Sequence, residues 1–327
     1  MLTVSSYTAP VDIANRALQH VGADHAMDSM TESGKNARVI GFCYNKLRQA
    51  ELRRNDWNFA IKRRVLRALD TTVQQWTPAV YVPATTYAVG IVVSYDDGFG
   101  ARYYISVKAS NTGNTPGVTT AWEDYFGQLT VDPWVAGTYY AGDLVSVSTT
   151  VYLSLKSDNA DLTSVGTSWV AQPGTTTLSA LSILYPISSG PTSQSGTSNV
   201  YPLPYGFLRE ADQNPRAGQS SYRGAPGGAI ITDWLIEGQY LISDDFGPIV
   251  FRFVADVTNV PSMDPMFCEG LAAKVALEVC EPLTQSTEKL RTIAGEYGKM
   301  MVEARLVNGI EAGPEQSPED DFITCRL

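Results

Sequence analysis

The sequence predicts an α+β protein: a helix bundle built from both chain termini plus a small β-domain, with two inserted all-β modules. Three observations carry this. Helical periodicity is concentrated at the two ends of the 327-residue chain. Between Thr71 and Val200 only 11 of 130 residues are charged, against 18% overall. There Thr, Ser, Gly, Val and Tyr dominate, which is the chemistry of strands and turns. That middle region also contains an internal repeat, the mark of a duplicated small unit.

The elements follow in order. In PVDIANRALQHV, residues 10–21, Ile13, Ala14, Ala17, Leu18 and Val21 share one helical face, and Gly22 ends the helix. Ser33 is placed to cap a longer helix that reaches about Asn55, with Ala37, Ile40, Tyr44 and Leu47 inward. The run from Leu52 to Leu69 follows, with Trp57, Phe59, Ile61, Val65 and Leu69 spaced as the buried positions of an extended segment. Residues 1–70 and 259–311 are assigned to one helical domain, because the helices at each end need apolar partners and find them at the other.

The repeat occupies Thr85–Trp122 and Gly137–Trp169. Tyr87 matches Tyr139, Gly90 matches Gly142, Val93 matches Val145 and Tyr104 matches Tyr152. Ser106 and Lys108 match Ser154 and Lys156, and Trp122 matches Trp169. Module 1 is placed at 71–130, with a tight DDGFG turn, and module 2 at 131–187. Units this small bury little core on their own. A Ser/Thr/Gly/Pro-rich linker covers 188–199, and a small β-domain covers 200–258. Within that domain, WLIEGQYLISDDFGPIVFRFV, residues 234–254, reads as two strands joined by the DDFGP turn.

At the C-terminal end Asp264 is an N-cap and Pro265 suits the first helical position. Phe267, Leu271, Ala272, Val275, Ala276 and Val279 cover more than one face, so this helix should be largely buried. Pro282 is expected to stop it and Ser286 to cap the next. The next helix reads as amphipathic. Leu290, Ile293, Ala294, Tyr297, Met301 and Ala304 lie inward, Glu288, Arg291, Glu296, Lys299 and Glu303 outward, and Asn308-Gly309 closes it. Residues 312–327 form a C-terminal arm. Its acids Asp320 and Asp321 and its apolar Phe322, Ile323 and Leu327 suit docking into a partner's groove.

Net charge is −10, yet residues 35–67 carry ten Lys/Arg and two acids, which leaves about −18 elsewhere. A chain this acidic is a poor general nucleic-acid binder, since that affinity comes from neutralising phosphates. Lys62, Arg63, Arg64 and Arg67 are the candidates for contact with DNA in a channel or with a neighbouring subunit. A solvated face is the plainer alternative. The cysteines, Cys43, Cys268, Cys280 and Cys325, are widely spaced and read as free thiols of a reducing compartment. There is no apolar run of about 18 residues, and the start lacks the pattern of a signal peptide. No HExxH, GxSxG, Walker loop or CxxC occurs, and His20 and His25 lack a third ligand at metal spacing. No enzymatic activity and no cofactor are expected.

The two copies resemble the small chitin-binding modules appended to bacterial glycoside hydrolases, with a leading Trp, Tyr-x-x-Gly, a valine strand, a tyrosine strand and a closing Trp. Trp134 leads the second copy, and Trp76 or Tyr81 stands in for it in the first. Val107 and Leu155 lie where such modules carry a further Trp. The resemblance makes Trp134, Tyr139, Tyr152, Trp169, Tyr87 and Trp122 candidates for a glycan or partner contact. The same aromatics serve equally as the cores of the modules.

The chain ends carry a second resemblance, in four markers taken in order: PVDIANRAL, LRRNDWNFAIKRRVL, YPLPYGFLR and DVTNVPSMDPMFCEGLAAKVALEVCEPLTQSTEKL. Together they are similar to the head-to-tail adaptor family of short-tailed bacteriophages, also called tail tubular protein A. Gly206 stands where members of that family often have Asp. The resemblance implies a virion protein of the head–tail junction, assembled in the host bacterial cytoplasm as a ring of twelve copies. It implies as partners the portal protein, which the C-terminal arm would engage, the tail nozzle, the tail fibres, and DNA passing through the channel, with no membrane. Two other functions are carried beside it: a carbohydrate-binding tail protein that recognises host surface glycan through the repeats, and a glycan-degrading tail enzyme.

Overall fold

The computed structural model describes residues 7–23, 25–69, 73–98, 100–161, 168–179, 199–211, 234–243 and 248–312. It is a mixed α and β structure with four α-helices and several small sheets among these residues. The chain divides into two compact units. The first comprises Met1–Ile61, Pro78–Tyr125 and Val254–Ala312, and the second Lys62–Thr77, Phe126–Phe253 and Gly313–Leu327. No helix among the described residues is long and apolar enough to cross a membrane.

In the first unit, helices α1 (Pro10–Val21), α2 (Lys35–Arg54) and α4 (Thr287–Ala312) each pack on α3 (Pro265–Thr284). The start of α1 is fixed by Asp12, whose carboxylate accepts from the backbone N–H groups of Thr8 and Ala9 at 2.8 and 2.9 Å. Asp264 caps α3 as the sequence indicates, accepting from Met266 N at 2.7 Å and Phe267 N at 3.1 Å. Phe267 then meets Trp57 edge-on, with ring centroids 5.0 Å apart. The indole N–H of Trp57 is spent on the Glu51 carbonyl, so a fully buried Trp leaves no donor unsatisfied. Gly270 is required by packing: a Cβ there would lie 2.4 Å from the Met301 sulfur of α4.

Four local expectations are corrected. Gly34, not Ser33, occupies the N-cap of α2, without a side-chain bond. Pro282 does not stop α3, which runs two residues further. The carbonyl that Pro282 leaves unpaired is that of Glu278, an exposed residue, so water can satisfy it. The helix ends instead at Gln285, in the left-handed conformation (φ 54°), with its N–H on Glu281 O. Asn308-Gly309 does not close α4 either. Asn308 is helical and staples the helix to the turn before Trp57: its Nδ2 donates to Asp56 O and its Oδ1 accepts from Asn58 N.

The fourth correction concerns the faces of α4. Ile293, Met301 and Ala304 are buried as expected, but Ala294 is exposed. The side opposite the core carries Gly295, Gly298, Val302, Leu306 and Ile310, interleaved with exposed charged residues. Glu288, Arg291, Lys299 and Glu303 are exposed on that side as the amphipathic reading placed them, and the glycines and apolar residues share it with them.

The described strands number fifteen. The first unit holds a three-stranded sheet of β3 (Val92–Asp96), β4 (Ala101–Ser106) and β5 (Trp122–Asp124), in the order β3-β4-β5. The second unit holds three sheets. Strands β1 (Ile61–Leu66), β15 (Ile249–Ala255) and β12 (Phe207–Glu210) form one, in the order β1-β15-β12. Strands β11 (Asn199–Pro202), β14 (Tyr240–Ser243) and β13 (Trp234–Glu237) form another, in the order β11-β14-β13. The third has six strands: β10 (Gly174–Ser179), β2 (Val73–Pro78), β6 (Thr130–Pro133), β7 (Leu144–Val147), β8 (Thr150–Ser154) and β9 (Trp169–Gln172), in the order β10-β2-β6-β7-β8-β9.

The segment 234–254 contains three strands rather than two. A two-residue turn at Gly238-Gln239 joins β13 to β14, with Glu237 paired to Tyr240. Gly238 has φ 61°, which glycine adopts at no steric cost. Most of the DDFGP turn lies outside the described residues. Gly206, the departure from the adaptor pattern, also has positive φ (74°), a conformation that glycine takes freely.

The first repeat shares the compact unit of the helices, whereas the sequence placed both repeats outside the helical domain. The residues responsible belong to the site described next.

Candidate functional site

The two repeat copies are built by the same set of bonds. In the first, Tyr87 and Asn111 exchange backbone bonds at 2.9 Å, and in the second Tyr139 and Asn159 do so at 3.0 and 2.9 Å. The Asn side chain is buried in both. Asn111 Nδ2 donates to Ser106 Oγ and Ala121 O, and Asn159 Nδ2 donates to Ser154 Oγ and Ser168 O. Ser106 and Ser154 in turn donate to the carbonyls of Lys108 and Lys156. Each copy is thus a tight loop locked by a buried amide. The signal was present in the sequence as Ser-x-Lys-x-x-Asn, at Ser106–Asn111 and Ser154–Asn159; the sequence reading matched its Ser and Lys but not its Asn.

The leading aromatic of the first copy is Tyr81. Tyr81 N donates to Ser94 O as Trp134 N donates to Ser146 O. Val82 N donates to the Tyr87 hydroxyl as Val135 N donates to that of Tyr139. Trp76 belongs to β2 of the other unit.

This geometry corrects the candidate contact residues. Tyr87, Trp122, Tyr139 and Trp169 are buried, Trp122 completely. Their rings pack on one another: Tyr87 and Trp122 at 5.2 Å, Tyr139 and Trp169 at 5.3 Å, both edge-on. The indole N–H groups of Trp122 and Trp169 are used on the carbonyls of Asn114 and Asp161. A ring enclosed in this way has no face left for a sugar, so these four are core residues. Trp134 and Tyr152 are partly buried at the edge of the second core.

The basic segment is likewise engaged inside its own unit. Arg67 pairs with Asp143 at 2.6 Å, donates to Thr138 O at 3.1 Å and lies 4.9 Å over the Tyr139 ring. Arg64 donates to Phe126 O, and Lys62 sits 5.9 Å over the Phe126 ring. Arg63 is the exposed member. Arg67 therefore ties β1 to the second repeat, an intramolecular role that sequence could not distinguish from a channel lining.

A buried charge cluster in the first unit was not anticipated. Asp256 pairs with Arg48 of α2 at 2.6 Å and with Arg102 of β4 at 3.1 Å, and accepts from Gln49 at 2.8 Å. Arg48 also donates to the Val257 carbonyl. Burial alone would raise the Asp256 carboxyl, but the two guanidinium groups hold it below the usual carboxylate range. Beside it, Asp124 of β5 accepts from Thr258 N at 2.8 Å, Thr258 Oγ1 at 2.5 Å and Asn259 N at 3.0 Å. Burial pushes its carboxyl up despite those bonds. Tyr104 meets the Thr258 hydroxyl at 3.2 Å, and Asn259 Nδ2 donates to Trp122 O at 3.1 Å. The first repeat is joined to α2 and to residues 256–259 through these groups.

Next to this junction, within the same unit, lies an open cleft of about 410 Å³ whose lining includes Asp28, Thr31, Tyr95, Asp96, Asp97 and Val118. Asp96 is committed to its own turn, accepting from Gly98 N and Gly100 N. This agrees with the hairpin reading of DDGFG. Among the described residues no group of three or more His, Cys, Asp or Glu could hold a metal ion. The arm residues Asp320, Asp321, Phe322, Ile323 and Leu327, and most of the 188–199 linker, lie outside the described residues. No protein-family model and no curated protein matches the chain.

Proposed function

We propose that the chain is the subunit of a head-to-tail adaptor ring of a short-tailed bacteriophage. In this reading it joins the portal to the tail nozzle and fibres and lets DNA pass through a central channel. Its fold is then a helix bundle built from both termini and a small β-domain, with two inserted all-β modules, assembled as twelve copies at the head–tail junction. The observation that carries the reading is where the marker segments fall. PVDIANRAL begins α1, LRRNDWNF ends α2 and supplies Trp57, and DPMFCEGLAAK opens α3. These segments, from opposite ends of the chain, pack together around α3, with Phe267 against Trp57 and Glu269 of α3 paired with Arg16 of α1 at 3.0 Å.

Electron microscopy of the purified protein with and without its portal tests the proposal. Closed rings seated on the portal are expected, and strictly monomeric protein with portal present would overturn it. A binding reading of the second repeat keeps one observation, the partly open Trp134 and Tyr152 edge. Glycan binding lost in Trp134→Ala would favour it.

A further inference from the structure

We infer that copies of this chain associate head to tail, with Phe42 on α2 of one copy seated in a glycine-floored hollow on α4 of the next. The inference rests on the ring reading only for the closure of the assembly. The contact itself is argued from two surfaces of the first unit.

The hollow lies on the outward face of α4. It is a shallow depression, largely open to solvent, whose lining includes Gly295, Gly298, Lys299, Val302 and Glu303. The apolar stripe continues along the helix through Val302 (64% exposed), Leu306 (64%) and Ile310 (71%). Glycine in an exposed helix interior is destabilising relative to alanine. Gly270 of α3 repays that cost by admitting Met301, but among the described residues nothing comes within 4 Å of a Cβ built at Gly295 or Gly298. The missing side chains therefore leave room that no described residue uses. An incoming side chain would.

The matching projection is Phe42. Among the described residues it is the most exposed large apolar side chain, at 77%. It stands at the middle of the outward face of α2, between Lys35, Arg38, Lys46 and Arg53. Lys46 lies over its ring at 4.0 Å. A ring carried on a helix ridge fits a hollow floored by two glycines. Arg38 and Lys46 beside the ring can meet Glu303 at the rim of the hollow, while Lys299, also at the rim, must be turned aside.

Because projection and hollow are different surfaces of one chain, the contact is heterologous, and it propagates into a ring or a filament instead of stopping at a pair. One helix stripe of about 30 Å by 10 Å is well short of the roughly 800 Å² per partner of a stable interface. A single contact is then weak, and closure of a ring strengthens it by repetition.

Sedimentation velocity of the full chain over a concentration series tests this, with Phe42→Ser and Gly298→Leu as variants. Both sites are open to solvent, so helical circular dichroism should be unchanged in each. Wild type is expected to form species larger than dimers. Each variant alone should lose association by about thirtyfold or more. Mixed in equal amounts, the two should form a dimer and nothing larger. Phe42→Ser keeps its hollow and Gly298→Leu keeps its projection, so one contact remains and cannot propagate.

Monomeric wild type at its highest soluble concentration would overturn the inference. So would association that survives Phe42→Ser, or association lost in Gly298→Leu alone, which would indicate symmetric α4–α4 pairing. Portal binding is read separately. Association by these residues without portal binding defeats the adaptor reading alone, and portal binding with no dependence on Phe42 or Gly298 defeats this contact alone.

Discussion

Arg48 and Asp256, far apart in sequence, form a 2.6 Å ion pair with both side chains almost wholly buried. A buried charge is tolerable only when paired and hydrogen-bonded. Here Arg102 and Gln49 complete the set. The pair joins α2 to the segment ahead of α3, and Arg102 brings in the first repeat.

Asp256→Asn should therefore destabilise the first unit by about 3–5 kcal/mol, because it leaves two guanidinium groups without their counter-charge. Urea denaturation followed by helical circular dichroism would measure it. A change under about 1 kcal/mol would mean that the cluster relaxes into solvent.

The same residue sets a pH dependence. The folded-state pKa of Asp256 is depressed, so its stabilisation is present above the unfolded pKa of about 4 and is lost as pH falls through the folded value. Asp124 runs the other way. Its folded-state pKa is raised, so it disfavours the folded state when ionised, and that penalty disappears as pH falls through its folded value. Wild type should exceed Asp256→Asn in melting temperature at neutral pH by a margin that shrinks below about pH 4. A margin constant down to pH 3 would contradict the assignment.

Asn111→Ala and Asn159→Ala should each loosen one repeat, at a cost of about 1–3 kcal/mol, since each strips a buried serine and a buried carbonyl of their donor. Limited proteolysis should show cleavage within 79–125 for the first variant and within 134–172 for the second. Cleavage at neither site would show that the aromatic packing suffices.

Excising the repeats should have unequal consequences. Replacing 79–124 by a short Gly/Ser link removes Arg102 and Asp124, and should lower the melting temperature of the helices. Replacing 135–168 removes no group of the Arg48–Asp256 cluster and should leave it nearly unchanged. Equal melting of the two variants, read at a helical wavelength, would show that the first repeat is as independent of the helices as its sequence suggests.

Removing residues 312–327 tests the C-terminal arm. Under the adaptor reading, portal affinity should fall by about tenfold or more, with the melting temperature of the helices unchanged. Unaltered affinity would show that the arm takes no part.

Much of this molecule was legible one element at a time. The period of Ile13, Ala14, Ala17, Leu18 and Val21, the Asp264 cap and the Tyr87/Tyr139 and Trp122/Trp169 correspondences are local patterns, and local geometry follows from them. Tertiary structure decided the rest. Whether Trp122 faces a ligand or a core depends on Tyr87 and Tyr81 packing against it, and no spacing encodes that. Arg67 reads as one more cation in a basic run until Asp143 lies 2.6 Å away. Asp124, Asp256 and Arg102 each look like a solvated surface charge, because the cost of burying a charge is met by partners brought from distant segments. Pro282 and Gly309 carry strong stop signals, yet α3 and α4 run past them. Packing on neighbouring helices and the Asn308 staple outweigh a propensity of about 1 kcal/mol for glycine, and water can take the carbonyl that proline leaves unpaired.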